Sequence, residues 1–306
     1  MWTRRDLFAA IFCAGAAAGC ATPLSTHGVE RADLGRRPAS RAAVIEAMSR
    51  PGVIDFEKVV VADWHFPNTT RPPGSAEWSV RELEAQVYFY AIRHPHFGLY
   101  LIDAGMPADY QAHMGPILRR VVREDYAFTL HTSTEAWVAA NAAPRGVFIT
   151  HLHYDHVLGV APLSRDVSVY VGPGDGDHRN FFYRFINQPT REALAGRALR
   201  EWSFAAPQVE GELAALDIFG DSSVFALHTP GHTPGSTAYL VNATTGPQLI
   251  TGDAMHSREA WTGELEEATG FEPDLPQILA SQSALRELAA QIPGLTAHPG
   301  HQSLAP

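Results

Sequence analysis

Short apolar runs recur along the chain from about residue 56, and stretches with helical spacing separate them. Runs rich in Val, Ile, Tyr and Phe that are bounded by turn residues predict β-strands. The predicted strands are Lys58–Ala62, Gln86–Arg93, Gly98–Asp103, Gly146–Thr150, Val167–Val171, Val224–Leu227, Ala238–Val241, Gln248–Thr251 and Leu295–Ala297. The predicted helices are Pro107–Glu124, which Pro116 breaks or kinks, Asp175–Asn187 and Gln277–Gln291. This alternation predicts an α/β or an α+β fold without choosing between them.

Two stretches between these elements are predicted to be irregular. Asp63–Glu77 is rich in proline and is predicted to be a loop that carries the aromatic segment Trp64–Phe66. Arg93–Gly98 is predicted to be the turn of a β-hairpin, in which His94 and His96 are exposed to solvent.

The first 52 residues do not read as part of the folded domain. Residues 1–20 combine paired arginines with an apolar stretch too short to span a bilayer and end in the box Ala17-Ala18-Gly19-Cys20. This resembles a twin-arginine export signal with a lipoprotein cleavage site, so we expect an exported, periplasmic protein anchored to a bacterial membrane through a lipidated Cys20. Residues 21–52 are predicted to be a tether with one short helix at Ser40–Ser49, and residues 53–306 to be the domain.

Composition limits the classes of partner. The chain has 306 residues, of which 45% are hydrophobic, and this suits one globular domain with a sizeable core. Its net charge is −10, from 23 Lys and Arg against 33 Asp and Glu, and it has no basic runs. Nucleic acid is therefore not an expected partner, and a small molecule is. Both cysteines, Cys13 and Cys20, lie in the predicted signal, so the mature chain has no thiolate ligand or nucleophile.

The stretch Thr150–Gly159 carries the strongest chemical signal. It contains His151, His153, Asp155 and His156 directly after a predicted strand. Alternation along an extended chain places His151 and His153 on the same side, and Asp155 and His156 then open a short helix. Imidazole nitrogens and carboxylate oxygens are the ligands of zinc and similar ions. The spacing predicts two adjacent metal centres.

Three later motifs also follow predicted strands. His232 lies in the sequence TPGHTPGS, Asp253 in LITGDA and His301 in HPGH, where His298 is a rival ligand. Each of these motifs alone is typical of a turn, but together and in this order they extend the metal-binding pattern.

The pattern HxHxDH, the sequence LIDAG at Leu101–Gly105 and the three later motifs together resemble the metallo-β-lactamase superfamily. The resemblance implies an α+β fold, a four-layer αβ/βα sandwich. It also implies two divalent metal ions, with zinc the expected metal. It assigns His151, His153 and His232 to the first ion, Asp155, His156 and His301 to the second, and Asp253 to both. In related motifs the ligand follows Pro-Gly, which favours His301 over His298.

Within that superfamily the chain resembles the N-acyl-homoserine-lactonase group. The resemblance implies hydrolysis of a lactone or ester by a hydroxide held between the two metals. Asp155 would orient that hydroxide and pass its proton to the leaving group. Where those lactonases carry a tyrosine, this chain has His256, expected to donate a hydrogen bond to the substrate oxygen. Alternatives are a β-lactamase, an aryl-ester or organophosphate hydrolase, and a metal-binding module without activity.

Three aromatic segments are predicted to line the substrate pocket. They are Trp64–Phe66, Phe181–Tyr183 and the stretch Met255–Phe271 with Trp261. An apolar pocket favours an ester or lactone over a β-lactam, which would need a cationic cluster for its carboxylate.

Overall fold

The computed structural model describes residues 21–35, 37–120, 127–180, 183–207, 209–269 and 274–302. The predicted export signal with Cys20, as well as Phe181 and Phe182, lies outside the described residues. In chain order the strands are β1 (Thr22–Pro23), β2 (Val29–Arg31), β3 (Arg37–Ala39), β4 (Asp55–Arg71), β5 (Ser79–His94), β6 (Gly98–Ile102), β7 (Thr129–Leu130), β8 (Gly146–Phe148), β9 (Ser168–Val171), β10 (Arg179–Asn180), β11 (Leu199–Glu201), β12 (Ala215–Asp217), β13 (Val224–His228), β14 (Thr237–Ala243), β15 (Gly246–Gly252), β16 (Glu266–Glu267) and β17 (Thr296–Pro299). The α-helices are α1 (Arg41–Met48), α2 (Tyr110–His113), α3 (Pro116–Arg120), α4 (Thr134–Ala140), α5 (Tyr154–Val157), α6 (Tyr183–Ala193), α7 (Arg258–Thr262) and α8 (Leu275–Ala289).

Two mixed sheets form the centre of the fold. The first has nine strands in the order β16-β4-β5-β6-β8-β9-β11-β2, with β7 also paired to β4. The second has six strands in the order β17-β15-β14-β13-β12-β3. In the described chain a further small sheet pairs β1 with β10.

Three apolar cores separate four layers. Alternation along β6 shows the arrangement, because Leu101 packs among the helices that cover the first sheet, whereas Ile102 packs between the two sheets. Behind the second sheet, Leu240 of β14 and Leu285 of α8 belong to one buried apolar cluster. The layers are therefore helix, sheet, sheet and helix, and the expected α+β four-layer αβ/βα sandwich is confirmed. None of the helices in the described part of the chain is both long and apolar enough to cross a membrane.

The predicted tether is wrong, because residues 21–35 and 37–52 belong to the folded domain. Strand β2 adds to the first sheet beside β11, and β3 adds to the second sheet beside β12. Leu24 is buried in the core of the first sheet, and Val44 and Met48 of α1 pack behind the second. Helix α1, whose N-terminus Ser40 caps, agrees with the predicted short helix. The apolar residues in this segment are few, but they are spaced so that both sheet edges bury them.

The predicted loop at Asp63–Glu77 is mostly strand. Strands β4 and β5 pair from Asp55 and Arg93 out to Thr70 and Ser79, and Pro67 is accommodated where β4 has a partner on one side only. A β-bulge between Val60 and Ala62 inserts one extra residue into β4.

Helix bounds and one turn also differ from the expectation. The predicted helix from Pro107 divides into α2 and α3, and residues 121–126 lie outside the description. The helix expected from Asp175 instead starts at Tyr183 after the short strand β10. His94, expected to be exposed in the hairpin turn, is buried, and its Nε2 lies 2.8 Å from Asp221 Oδ2.

Candidate metal centre

The predicted ligands follow strands whose carboxyl ends meet at one edge of the sandwich. Strand β13 is antiparallel to β14, β14 is antiparallel to β15, and β15 is parallel to β17. The loops after β13, β15 and β17 therefore leave the second sheet at the same edge. They carry His232, Asp253 and His301, and the loop after β8 of the first sheet brings His151 and His153 to face them.

Four side chains form the first cluster. His232 Nε2 lies 2.9 Å from His153 Nδ1 and 3.0 Å from His151 Nε2. Asp253 Oδ2 lies 3.5 Å from His232 Nε2 and 3.6 Å from His151 Nε2. Four tetrahedral ligands at about 2.0–2.1 Å from a zinc ion lie about 3.3–3.4 Å from one another. The distances of 2.9–3.6 Å between these atoms are close to this value, so the four atoms are spaced as ligands of a tetrahedrally coordinated cation.

The second cluster uses the other oxygen of Asp253. His156 Nε2 lies 3.3 Å from Asp155 Oδ2 and 3.4 Å from Asp253 Oδ1. His301 Nε2 lies 3.3 Å from Asp253 Oδ1 and 3.5 Å from Asp155 Oδ2. The structure thus brings all seven predicted ligands together in two clusters that share Asp253.

The donor atoms fit bound cations. His156 Nε2 and Asp253 Oδ1 are buried and have no hydrogen-bond partner among the described residues. An unsatisfied buried polar atom costs about 1–3 kcal/mol, so such atoms call for a partner. Nitrogen and carboxylate oxygen in these numbers suit zinc and similar divalent ions.

The two clusters differ in their electrostatics. Burial lowers the pKa of His153 to about 4 and holds the pKa values of His151 and His232 well below their usual range, which leaves neutral imidazoles. Burial also acts to lower the pKa of His156, but Asp253 and Asp103 outweigh it and raise that pKa. Burial acts to raise the pKa of Asp155, but the charge of His156 lowers it to about 2. The second cluster has two carboxylates, Asp155 and Asp253, whereas the first has one, so the second cluster attracts positive charge more strongly.

Asp103, for which the sequence analysis gave no role, supports His156 of the second cluster from behind and also contacts Thr150, the residue before His151. Its Oδ1 accepts a hydrogen bond from the Thr150 backbone N–H at 2.8 Å, and its Oδ2 lies 2.8 Å from His156 Nδ1. A carboxylate behind a ligating histidine fixes the ring and makes it a better ligand. Asp103 belongs to the LIDAG sequence, and its position directly after β6 was the available signal.

Asp175 connects two ligand loops and was also missed. One carboxylate oxygen accepts from the Leu152 N–H at 3.0 Å, and the other accepts from the Gly235 N–H at 2.9 Å. Burial raises the pKa of Asp175 to about 6. Its partners are backbone N–H groups far away in the sequence, and no side-chain motif in the sequence indicates such contacts.

The rival histidine at the end of β17 lies elsewhere. His298 is buried, with its Nε2 2.9 Å from Gln248 Oε1 and its ring 5.3 Å from that of Tyr90. It is absent from both described clusters, whereas His301 is present in the second.

His256 and an aromatic wall border the clusters. His256 Nε2 lies 3.2 Å from Asp253 Oδ2, although His256 is a member of neither cluster. The ring of Phe66 lies 5.5 Å from that of His256 and 5.2 Å from that of His301, and the ring of Trp64 lies 5.9 Å from that of His301. Trp64 and Phe66 supply the expected aromatic wall, but they lie on strand β4 and not in a loop.

The other two predicted wall segments are only partly beside the metal centre. The Tyr183 ring lies 6.0 Å from that of His153. Trp261 packs instead with the helices behind the second sheet. Ala260, the preceding residue of helix α7, is buried in the same core, so the helix directs Trp261 toward that core and not toward the metal centre.

The sequence profile described as the Metallo-beta-lactamase superfamily matches residues 83–301, which contain all seven ligands. The chain belongs to the metallo-β-lactamase superfamily. N-acyl homoserine lactonase AttM of Azorhizobium caulinodans is 27% identical over 222 residues, which are 68% of this chain and 79% of that protein. Metallo-hydrolase mfmC of Annulohypoxylon moriforme is 26% identical over 194 residues, which are 57% of this chain but 49% of that protein.

A solved structure shares the superfamily fold. It is a variant of AiiA from B. thuringiensis with N-decanoyl-L-homoserine bound at its active site. The superposition gives a TM-score of 0.59 at 19% identity and covers 82% of this chain and 94% of that one.

Proposed function

We propose that the protein is a metal-dependent hydrolase that opens a lactone or ester bond. The observation that carries the proposal is a pair of buried ligand clusters joined through Asp253, with an aromatic wall of Trp64 and Phe66 beside them. The names of its relatives, N-acyl homoserine lactonase and metallo-hydrolase, support the same class of reaction.

Each group at the site has a part in this chemistry. When bound, two divalent cations would supply Lewis acidity and would lower the pKa of water at the site. His151, His153 and His232 would hold one cation, and Asp155, His156 and His301 the other. Asp155 belongs to the second cluster alone, and we assign its carboxylate the role of orienting the attacking water and carrying its proton to the leaving oxygen.

The wall favours substrates with an apolar part. Trp64 is buried and Phe66 is partly buried, and burying apolar substrate surface against them contributes about 25 cal/mol per Å². A second candidate is an aryl-ester or organophosphate hydrolase, which the histidine at position 256 favours. A β-lactamase ranks below both, because no cationic cluster for its substrate's carboxylate lies among the described wall residues.

An activity screen on zinc-loaded protein tests the proposal. We expect hydrolysis of N-acyl homoserine lactones or aryl esters, its loss with a chelator, and its return with added metal. The His298→Asn variant is the control, because His298 lies outside both clusters. Faster hydrolysis of penicillins than of every lactone, ester and phosphotriester would identify a β-lactamase. Bound metal without any hydrolysis would identify a non-catalytic module.

We also propose, from the sequence of residues 1–20, that the protein is exported to the periplasm and anchored through a lipidated Cys20. Mass spectrometry of the N-terminal peptide from an exporting host checks this. In cell fractionation, the Cys20→Ser variant should be absent from the membrane fraction. An unprocessed Met1 together with an unmodified Cys20 would contradict it.

A further inference from the structure

Leu152 separates the two histidines that open the metal-binding stretch, and side chains hold both of its backbone polar groups. It lies after strand β8 and before helix α5. Its N–H donates to Asp175 Oδ2 at 3.0 Å, and its C=O accepts from Thr190 Oγ1 at 3.1 Å. The Leu152 side chain is fully buried in the core of the first sheet. Alternation along the chain therefore turns His151 and His153 the other way, toward the first cluster.

These two hydrogen bonds fix one peptide unit beside each ligand. The Leu152 N–H belongs to the unit that follows His151, and the Leu152 C=O belongs to the unit that precedes His153. Because each peptide unit is planar, holding one of its polar groups restricts the dihedral angles on both sides of it. Asp175 thus restricts His151, and Thr190 restricts His153. Thr190 is fully buried, and a buried carbonyl group needs a partner, so loss of this hydroxyl would release the peptide unit before His153.

Helix α6 meets the first cluster at two points. Thr190 contacts the ligand loop, and the ring of Tyr183 lies 6.0 Å from that of His153. Both of these side chains are buried. The position of the helix therefore determines where the Thr190 hydroxyl lies and, through it, how the His153 backbone is held.

The segment Thr22–Leu24, which we call the N-terminal brace, is held against this helix. Its first two residues pair with β10, the strand that precedes α6 along the chain. Asn187 Nδ2 donates to Thr22 Oγ1 and to Pro23 O, each at 3.3 Å, and Arg191 donates to Pro23 O at 3.1 Å. The last residue of the brace is buried in the core of the first sheet.

We propose that Thr190 is a positioning residue for the first metal cluster and that the N-terminal brace holds its helix in place. The inference rests on the proposed function, because it concerns how the first of the two cations is bound. Within the described part of the chain, neither Thr190 nor the brace hydrogen-bonds to a ligand of the second cluster. Their loss should therefore weaken the first cluster selectively.

Cadmium-113 NMR of the cadmium-loaded protein tests this without reference to activity. Each filled cluster should give its own signal, and the His153→Ala variant identifies that of the first. In Thr190→Val, which keeps the shape of the side chain but loses the hydroxyl, this signal should shift or broaden and the second should persist. Competition with a chelator should show about a 10-fold loss of affinity at the first cluster. Thr190→Ser, which keeps the hydroxyl, should retain both signals and the affinity.

Thr134→Val is the matched control for loss of a buried hydroxyl. Thr134 is fully buried and donates to the carbonyl oxygens of Ala104 and Met106, neither of which belongs to the loop that contains Leu152. We expect this variant to lower the free energy of unfolding and to leave the first cadmium signal unchanged. A purely structural role of Thr190 predicts that the two valine variants behave alike. An unchanged first signal and affinity in Thr190→Val would overturn the positioning role.

Two neighbouring amides on α6 test the brace. Asn187→Leu removes the donor to Thr22 and Pro23, whereas Gln188→Leu removes an exposed amide that contacts Glu192. Because the brace acts only through the helix, we expect the affinity of the first cluster to fall by about twofold to fivefold in Asn187→Leu, within the contribution of one hydrogen bond. It should stay unchanged in Gln188→Leu. Equal affinities in the two variants would overturn the role of the brace.

Two further outcomes are separable. Should Thr190→Val fail to fold, the pair Thr190→Ala and Thr190→Ser, which differ only in the hydroxyl, replaces it with the same expected contrast. Absence of hydrolysis by the zinc-loaded protein, with the cadmium signals behaving as expected, would contradict the proposed function and support the positioning role.

Discussion

His298 and His301 lie three residues apart at the end of β17, yet the strand and the turn after it are two different environments. His298 is a strand residue whose ring packs against Tyr90 and Phe56 between the sheets, and Gln248 satisfies it. His301 follows Gly300, and its Nε2 faces Asp155 and Asp253. At Gly300 an added Cβ would lie 2.2 Å from Asp253 Oδ1. Because Gly300 has no side chain, the backbone can approach the carboxylate of Asp253, and this close approach places the next residue, His301, among the ligands.

The largest expected effect comes from exchanging alanine for one or the other histidine. His301→Ala should lower bound metal from about two ions per chain to about one. It should lower activity by more than about 100-fold, because altering even the outer partners of ligands costs about 10- to 100-fold. His298→Ala should retain both ions. Elemental analysis and the rate of lactone or ester hydrolysis measure the two effects. The opposite ranking of the two variants would move the ligand role to His298.

A somewhat smaller effect should come from Asp175, which holds two ligand loops together by one carboxylate. In Asp175→Asn the amide accepts from only one of the Leu152 and Gly235 N–H groups and presents a donor to the other. We expect metal affinity to fall about 10- to 100-fold, measured by competition with a chelator. Asp177→Asn is the control, because Asp177 is exposed. Equal affinities in the two variants would mean that the loops hold their positions without Asp175.

His256 lies beside the ligands without being a member of either cluster. His256→Phe should lower turnover roughly 10-fold, as loss of one substrate hydrogen bond predicts, while metal content stays unchanged. Metal analysis on the same preparation used for kinetics checks this. A loss of metal in proportion to the loss of activity would make His256 a ligand instead.

The smallest effect on activity is expected from His298, whose contribution is to stability and depends on pH. Burial lowers its pKa from 6.5 to about 4 in the folded protein. Between those values the unfolded chain binds a proton that the folded chain does not, so the free energy of unfolding falls as pH falls, by at most about 1.4 kcal/mol per pH unit. Above pH 6.5 the contribution is fully present.

Denaturant unfolding of metal-free protein between pH 7 and 4 measures this. His298→Asn should reduce the slope of unfolding free energy against pH by up to about 1.4 kcal/mol per pH unit, the value that corresponds to one proton. Identical slopes for the variant and the unaltered protein would show that His298 titrates normally.

The ligands could be predicted because they form short side-chain motifs at strand ends, as His151 and His153 do. Asp175 could not, since it accepts hydrogen bonds from the backbone N–H groups of Leu152 and Gly235, which lie far from it in the sequence. The tether was mispredicted because the few apolar side chains in residues 21–52, such as Leu24, become buried only against residues that lie far from them in the sequence. Trp261 was misplaced because aromatic character does not specify which side of a helix meets the core.

The bulge in β4 determines which side chains reach the metal centre. Before it, Phe56 and Val60 pack between the sheets and Val59 packs toward the helices of the first sheet. Beyond the bulge the alternation is reversed, and Trp64 and Phe66 lie on the helix side that includes the metal edge. The wall of the site therefore depends on the number of residues as well as on their identity. During divergence, loss or gain of a single codon at this bulge would turn the wall away from the substrate in one step, while substitutions in it would only alter its shape.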